Sequence, residues 1–398
     1  MELESLSAQK QTQPWVRISV LVGLLICVYL AQAFHISQSP RAPGSSDFDV
    51  FYLVGHMFWS GELADAYQGN LRALSGEIYP GLRWTYPPPY ILFVAPLALV
   101  PEWAAYLIFM GLSLTGYVAM LYAIGGRNFE LSLRVSIPAI SVSLAAGQNG
   151  LVFGIIIAAI LRAVSTMQGW SGLGLALLMM KPQLFPVACA YEIRERRWNV
   201  LVIGLIGLVV LISLATGVMG SALWRSFFST MEETGQLLIA GNVRLARMIS
   251  VYASLCSLGV SARYSLIIQS IVALGILYTV IIHLRRRATL GQLGLVALAS
   301  PLLSPYAYDY DLPVALVSVP FLWPLFQTYS RSRERVLFLS GLVIPAVWGL
   351  LAESILPAVP RLLDASKPPC VITLSGLVLL ISFGTAVRVV LRTPSSAP

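Results

Sequence analysis

Long apolar runs, each closed by a short polar or proline-bearing stretch, set the pattern of this chain. They fall at 16–35, 88–100, 103–124, 131–146, 150–166, 170–190, 199–218, 264–284, 290–304, 312–329, 336–354 and 370–391. A membrane-crossing helix needs ~17–25 apolar residues. Barrel strands would instead be ~10-residue segments of alternating polarity. The runs are unbroken, as in Val200–Leu214, so they predict helices. Two features shorten the count. The 88–100 run ends at Pro101, and the 131–146 run ends at Gly147-Gln148-Asn149-Gly150. Either can belong to a re-entrant hairpin, which gives 10–12 crossings within one domain over residues 1–398.

Composition removes the soluble alternatives. The chain is 57% hydrophobic and 11% charged, with mean hydropathy +0.77, where soluble domains carry ~25% charge. The fold class is therefore an all-α polytopic membrane protein, since helices satisfy their own backbone in lipid. The net charge is +8. It is concentrated in three clusters, Arg194/Arg196/Arg197, Arg285/Arg286/Arg287 and Arg331/Arg333/Arg335, which reads as membrane orientation rather than nucleic-acid binding. With twelve crossings all three clusters share the cytoplasmic side with both termini. These include the polar segment 1–14, read as leading into a retained anchor, and the tail 393–398. The opposite face then carries 36–86, 219–263, 304–311 and 355–369. Segment 36–86 holds three basic residues (Arg41, Arg72, Arg83) and five acidic ones (Asp47, Asp49, Glu62, Asp65, Glu77). Four scattered cysteines (Cys27, Cys189, Cys256, Cys370) and three distant histidines (His35, His56, His283) give no disulfide framework or metal spacing. Neither a phosphate-binding glycine loop nor a nucleotide-binding domain is visible.

The polar islands carry the candidate chemistry. Asp47 and Asp49 follow the first apolar run. One carboxylate here can take a proton from a hydroxyl. The alternative is a cap, because Ser45-Ser46-Asp47 can start a helix through Phe51–Trp59. Tyr52 and Tyr86, beside Pro87-Pro88-Pro89, offer rings to a sugar or to the membrane interface. Gln148 and Asn149 either hydrogen-bond a substrate or close a turn. Lys181, before Pro182 and Gln183, interrupts an apolar run. Intramembrane charge of this kind faces a cavity or a partner, so Lys181 holds a lipid phosphate or pairs with a buried carboxylate. Tyr308, Asp309 and Asp311 follow Ser304-Pro305 on the side expected for Asp47. Arg244 and Arg247 offer cations to a phosphate.

Taken in order, these islands resemble a known family. They comprise Asp47-Phe48…Phe51-Tyr52…Gly61…Ala66-Tyr67, Tyr86-Pro87-Pro88…Pro96-Leu97, Gly147-Gln148-Asn149, Lys181-Pro182-Gln183 and Ser304-Pro305…Tyr310-Asp311. The set, spanning Ser46 to Tyr310, resembles glycosyltransferase family 87 of the GT-C superfamily, which includes bacterial polyprenyl-phosphate-mannose-dependent α-mannosyltransferases. The resemblance implies a GT-C-type bundle with an extracytoplasmic active-site loop in a bacterial inner membrane. The implied reaction is an inverting transfer of a hexose, mannose in those relatives, from a polyprenyl-phosphate donor to a glycolipid or glycan hydroxyl, with no metal or cofactor. It implies Asp47 as catalytic base, with Asp49 as the alternative. Lys181, Arg244 and Arg247 would meet the donor phosphate. Tyr52, Tyr86, Gln148, Asn149, Gln183, Tyr308, Asp309 and Asp311 would line the substrates. Some relatives carry histidines near the Ser-Pro motif, where this chain has Tyr308 and Asp309. The rival reading is a transporter or flippase of lipid-linked sugars, which also uses broken helices.

Overall fold

A computed structural model describes residues 17–34, 46–72, 78–80, 83–166, 168–283, 289–355 and 371–394. Arg285–Arg287, Cys370, the segment 1–14 and residues 395–398 lie outside the described residues, as do parts of 36–86 and nearly all of 355–369.

Each expected apolar run is helical. The chain runs through α1 (Arg17–Phe34), α2 (Asp47–Ser60), α3 (Leu63–Tyr67) and a small antiparallel hairpin, β1 (Asn70–Arg72) with β2 (Ile78–Pro80), in which Leu71 faces Tyr79. Next come α4 (Pro88–Val94) with its 3-10 extension Ala95–Leu99, α5 (Glu102–Gly125), α6 (Phe129–Ala146), α7 (Gly150–Ser165), α8 (Ser171–Leu178), α9 (Phe185–Arg194) and α10 (Trp198–Met219). The rest is α11 (Ala222–Ala240), α12 (Val251–Ser257), α13 (Ala262–Tyr278), α14 (Thr289–Ala299), α15 (Leu312–Leu316), α16 (Ser318–Tyr329), α17 (Ser332–Ile355) and α18 (Ser375–Arg392). Among the described residues, six helical stretches are long and apolar enough to cross a membrane, and the pair Asp309–Leu316 and Ser318–Tyr329, bent by 56°, makes a seventh if taken as one span. One of the six, Glu102–Ala146, holds both α5 and α6.

Two apolar runs do not cross. The first is α4 with its extension. Tyr86, just before it, donates to Gln148 Oε1 (3.2 Å), and Val100, just after it, accepts from Tyr52 (2.9 Å). Both ends therefore lie beside the start of α2. The second is α8–α9. At its base Arg197 donates to the Gln168 carbonyl (3.0 Å), and at its tip Lys181 meets Asn149 (3.3 Å). Their lengths explain this. Helices of 8 and 10 residues reach only about 12–15 Å at ~1.5 Å per residue, far short of a ~30 Å hydrocarbon core.

The consequence is a correction to the direction of the chain between 102 and 165. A count of twelve crossings puts Gly147–Gly150 at the arginine end and Gly126–Asn128 at the Asp47 end. The structure places them the other way. Phe48 packs edge-on against Tyr106 (5.4 Å), Tyr106 donates to the Leu144 carbonyl (2.8 Å), and Arg162 donates to the Ala123 carbonyl (2.8 Å). Among the described residues, ten segments then connect the two ends: α1, α5, α6, α7, α10, α13, α14, the bent α15–α16 pair, α17 and α18. Arg194, Arg197, Arg335 and Arg392 gather at one end, where Arg194 reaches Gln292 and the Val280 carbonyl, and Arg392 pairs with Glu334 (2.8 Å). Asp47, Lys181, Asp309 and Asp311 gather toward the other.

Segment 219–263, expected as a loop, is mostly helical. In α11 the buried side chains Leu223, Phe227, Thr230 and Leu238 follow a helical period, while Arg225, Phe228, Glu232 and Gln236 are exposed. It lies against α3, with Thr230 donating to the Tyr67 carbonyl (2.8 Å) and Arg83 pairing with Glu233. Most buried side chains from Leu25 to Val390 form one core, and Leu238, Met248, Tyr252 and Ala253 form a second, smaller cluster.

The chain direction is open to a labelling test. In a cysteine-free background, Ser221→Cys, at the Asp47 end, is expected to react with an impermeant maleimide added to that face. Arg127→Cys, at the arginine end, is expected to be protected. Equal labelling of both from one face would reinstate the twelve-crossing path.

Candidate active site

The site begins at the N-terminus of α2. Ser46 caps that helix together with Asp49. The Asp49 amide donates to Ser46 Oγ (3.4 Å), and Ser46 gives Asp49 its own N–H (3.0 Å) and hydroxyl (2.6 Å). This capping box satisfies two otherwise orphaned groups and ties up the buried Asp49 carboxylate. Asp47, two positions earlier, is half-buried in the first turn. Its charge reaches the hydroxyls of Tyr86, Tyr308 and Tyr310.

Next to it the chain is held by glycine. Gly147 ends α6 with φ +66, and a Cβ there would overlap the side chain of Phe48. A Cβ at Gly150 would overlap the backbone carbonyl of Tyr310. The Gly147–Gly150 turn thus wedges between the start of α2 and the 304–311 segment, where no larger residue fits. Within it Gln148 accepts from Tyr86, and Asn149 faces Lys181.

Lys181 lies where α8 has ended and Pro182 starts a 3-10 turn. Its ammonium pairs with Asp311, and the two side chains are 3% and 2% exposed. It donates to Asn149 Oδ1 (3.3 Å) and stands over the rings of Phe153 (5.5 Å) and Tyr310 (5.2 Å). Asp311 in turn accepts from the Tyr308 amide (3.2 Å). Lys181 is thus paired with a buried carboxylate, one of the two readings its sequence position offered. A second ion pair lies beside it. Arg247 holds Asp309 in a two-point contact, Nε to Oδ2 (2.9 Å) and a terminal nitrogen to Oδ1 (3.0 Å). The backbone reinforces it, since Ile249 donates to the Ala307 carbonyl (2.9 Å) and Asp309 to the Arg247 carbonyl (3.0 Å). Tyr310 therefore sits between two cations, with Arg247 at 5.9 Å, and stacks on Tyr308 (5.4 Å).

The tyrosines are donors here. Burial, then the neighbouring Tyr90, Asp311 and Asp47, pushes the Tyr86 hydroxyl well above its ordinary range. Burial, then Tyr306 and Asp47, does the same for Tyr308. The buried carboxylates Asp309 and Asp311 are each held by a cation, and Asp49 by a helix cap. Asp47 is the half-buried acid at this junction.

Other expected residues are placed differently. Tyr52 gives its hydroxyl to Val100, away from the turn. Gln183 is half-buried on the 3-10 turn, with no hydrogen bond to the residues above. Arg244 is exposed, three residues before Arg247. Trp84 and Tyr90 were not among the expected site residues. With Phe51 and Tyr86 they form an aromatic cluster whose ring centroids lie 4.9–5.8 Å apart. Trp84 Nε1, Tyr90 Oη and Asn149 Nδ2 are buried there without a hydrogen-bond partner. Only their density around the proline run marked them in the sequence.

The Lys181–Asp311 pair has a measurable signature. Removing one member of a buried pair costs about 3–5 kcal/mol, whereas replacing both with apolar residues of similar size is often neutral. Lys181→Met is therefore expected to lower the thermal unfolding temperature, and Lys181→Met with Asp311→Leu to restore much of it. Equal loss in the single and double variants would mean that the pair is not the linkage.

A family model now meets this geometry. Glycosyltransferase family 87 matches residues 84–305. That range carries Tyr86, Gln148, Asn149, Lys181, Gln183, Arg244 and Arg247, but neither Asp47 nor Asp309 and Asp311. No curated protein and no solved structure matches the chain. The match covers more than half of the 398 residues, and the chain belongs to glycosyltransferase family 87.

Proposed function

We propose that this membrane glycosyltransferase moves a hexose, mannose by its resemblance, from a polyprenyl-phosphate donor to a glycolipid or glycan hydroxyl. We place the reaction on the outer side of a bacterial inner membrane, with both termini and the arginine end in the cytoplasm. The observation that carries this reading is the half-buried Asp47 carboxylate facing a junction lined by protonated tyrosines and two cation–carboxylate pairs.

In this reading Asp47 accepts the proton of the acceptor hydroxyl as its oxygen attacks the anomeric carbon. The bond from that carbon to the phosphate oxygen breaks, and the lipid phosphate leaves with the bonding electrons. General-base help of this kind contributes roughly 10²–10⁴ in rate. The donor phosphate meets Arg247, which is half-buried, and the exposed Arg244. Lys181 is almost fully buried and acts from behind, fixing Asn149, Tyr310 and Asp311 and adding positive potential. Gln148, Tyr86 and Tyr308 donate or accept along the sugar path. The cations serve the developing phosphate charge, and the proposal assigns no role to a metal or cofactor. A flippase of the same lipid would share the broken hairpins, but would not need a base beside the junction.

Purified protein with labelled polyprenyl-phosphate mannose and a glycolipid acceptor tests the assignment. Asp47→Asn is expected to lower transfer by roughly 10²–10⁴ with the unfolding temperature retained. Asp49→Asn is expected to transfer well but to lose about 1 kcal/mol of stability, the usual cost of a lost cap. The reverse pattern would reassign the base to Asp49. Full transfer by both variants would remove the base mechanism.

A further inference from the structure

Away from the reaction centre, two cavities adjoin along α11 and share Ser226. One, of about 310 Å³, is lined mainly by carbon, with Phe58, Leu63, Val218, Met219 and Leu223 around it. The other, of about 260 Å³, is polar, with Gln68, Arg225, Ser229 and Glu233 around it. A soluble ligand would leave the first empty, and a hydrocarbon would leave the second. One molecule with an apolar chain and a polar head fills both.

The surroundings fix the kind of amphiphile. Helix α10 is apolar and exposed along Leu205, Val209, Val210, Leu214 and Val218, the surface of a helix that faces lipid. That row leads directly into the apolar cavity at Val218 and Met219. At its end α11 is amphipathic, with exposed Phe228 and Ile239, as expected of a helix lying in the membrane interface. Charge decides the head group. Glu233 is already engaged by Arg83. Arg225 is exposed and, among the described residues, has no carboxylate partner. A phosphodiester suits that guanidinium.

The site also touches the reaction centre indirectly. Tyr67 borders the polar cavity, accepts from Thr230 of α11 (2.8 Å) and donates to the Tyr86 carbonyl (2.8 Å). A lipid phosphate on Arg225 is separated from Asp47 by this tyrosine relay, so it is not the leaving group. We propose that the two cavities hold one anionic phospholipid of the surrounding bilayer, its acyl chain beside Met219 and its phosphate on Arg225, which braces α11 and, through Tyr67, the Tyr86 loop.

Thermal unfolding of the full-length protein in bilayers tests this without any transfer assay, so its outcome is independent of the transferase mechanism. Phosphatidylcholine bilayers are compared with mixed phosphatidylcholine–phosphatidylglycerol bilayers. Phosphatidylglycerol is expected to raise the unfolding temperature of the wild type. Arg225→Gln, and Ala222→Trp, which fills the apolar cavity from its rim, are expected to lose most of that rise while matching the wild type in phosphatidylcholine. Arg225→Lys keeps the charge and is expected to retain part of it. An equal rise in wild type, Arg225→Gln and Ala222→Trp overturns the site. So does no rise in the wild type. Soluble glycerol phosphate producing the full rise in phosphatidylcholine would mark a free-anion site and overturn the lipid.

Discussion

The contact on which the rest of the site depends is the buried pair of Lys181 and Asp311. Burying an ion costs several kcal/mol even after relaxation, and neither partner is more than 3% exposed. The structure offsets that cost with Asn149 Oδ1, the faces of Phe153 and Tyr310, and the Tyr308 amide on Asp311. All but Phe153, which lies in the first turn of α7, come from places where a helix is interrupted. α6 ends at Ala146, α8 at Leu178, and the 309–316 segment is short and bent by 56° from α16. Broken backbone at membrane depth persists only where protein or a cavity satisfies it. The ion pair and the three breaks therefore require one another, and Asp47 is positioned against the result.

How much of this was legible follows from what a sequence records. Polar residues inside apolar runs are costly, so Asp47, Gln148-Asn149, Lys181 and Tyr308–Asp311 could be singled out one by one. Ser46 was legible as a cap because cap chemistry is local. The partner of Lys181 was not, since Asp311 lies 130 residues away and several acids were equally eligible. The helical period of α11 was present at Leu223, Phe227, Thr230 and Leu238. Arg225, Glu232 and Glu233 interrupt it, and the segment was read as loop.

Chain direction was the deeper loss. Hydropathy counts apolar residues but does not record which way they run. The 88–99 and 171–194 segments each return to the side they leave. Counting both as crossings reverses everything between them and restores the direction afterwards. The arginine clusters at 194–197 and 331–335 lie beyond the second return, so their agreement was blind to the paired error. What discriminates is contact between distant residues: Val100 comes back to Tyr52, and Arg197 comes back to Gln168. The proposed site depends on this correction, because only the observed direction brings Gln148 and Asn149 to Asp47.

Charge balance explains why the cations sit where they do in the proposed transfer. Asp47, Asp309 and Asp311 each bring one negative charge to Lys181 and Arg247 before any substrate arrives. A sugar phosphodiester adds one more. As the acceptor proton reaches Asp47 that carboxylate is neutralised, while the departing lipid phosphate gains a charge. The total is unchanged, and one negative charge has moved from the α2 terminus toward Arg247. Donors that need not reorganise favour such a shift most in a dry site. Arg247, clamped by Asp309, is already oriented for the phosphate end. On this argument Asp309 is a positioning residue: it holds Arg247 at a fixed angle and lowers its pull on the ground state, leaving the larger attraction for the doubly charged product.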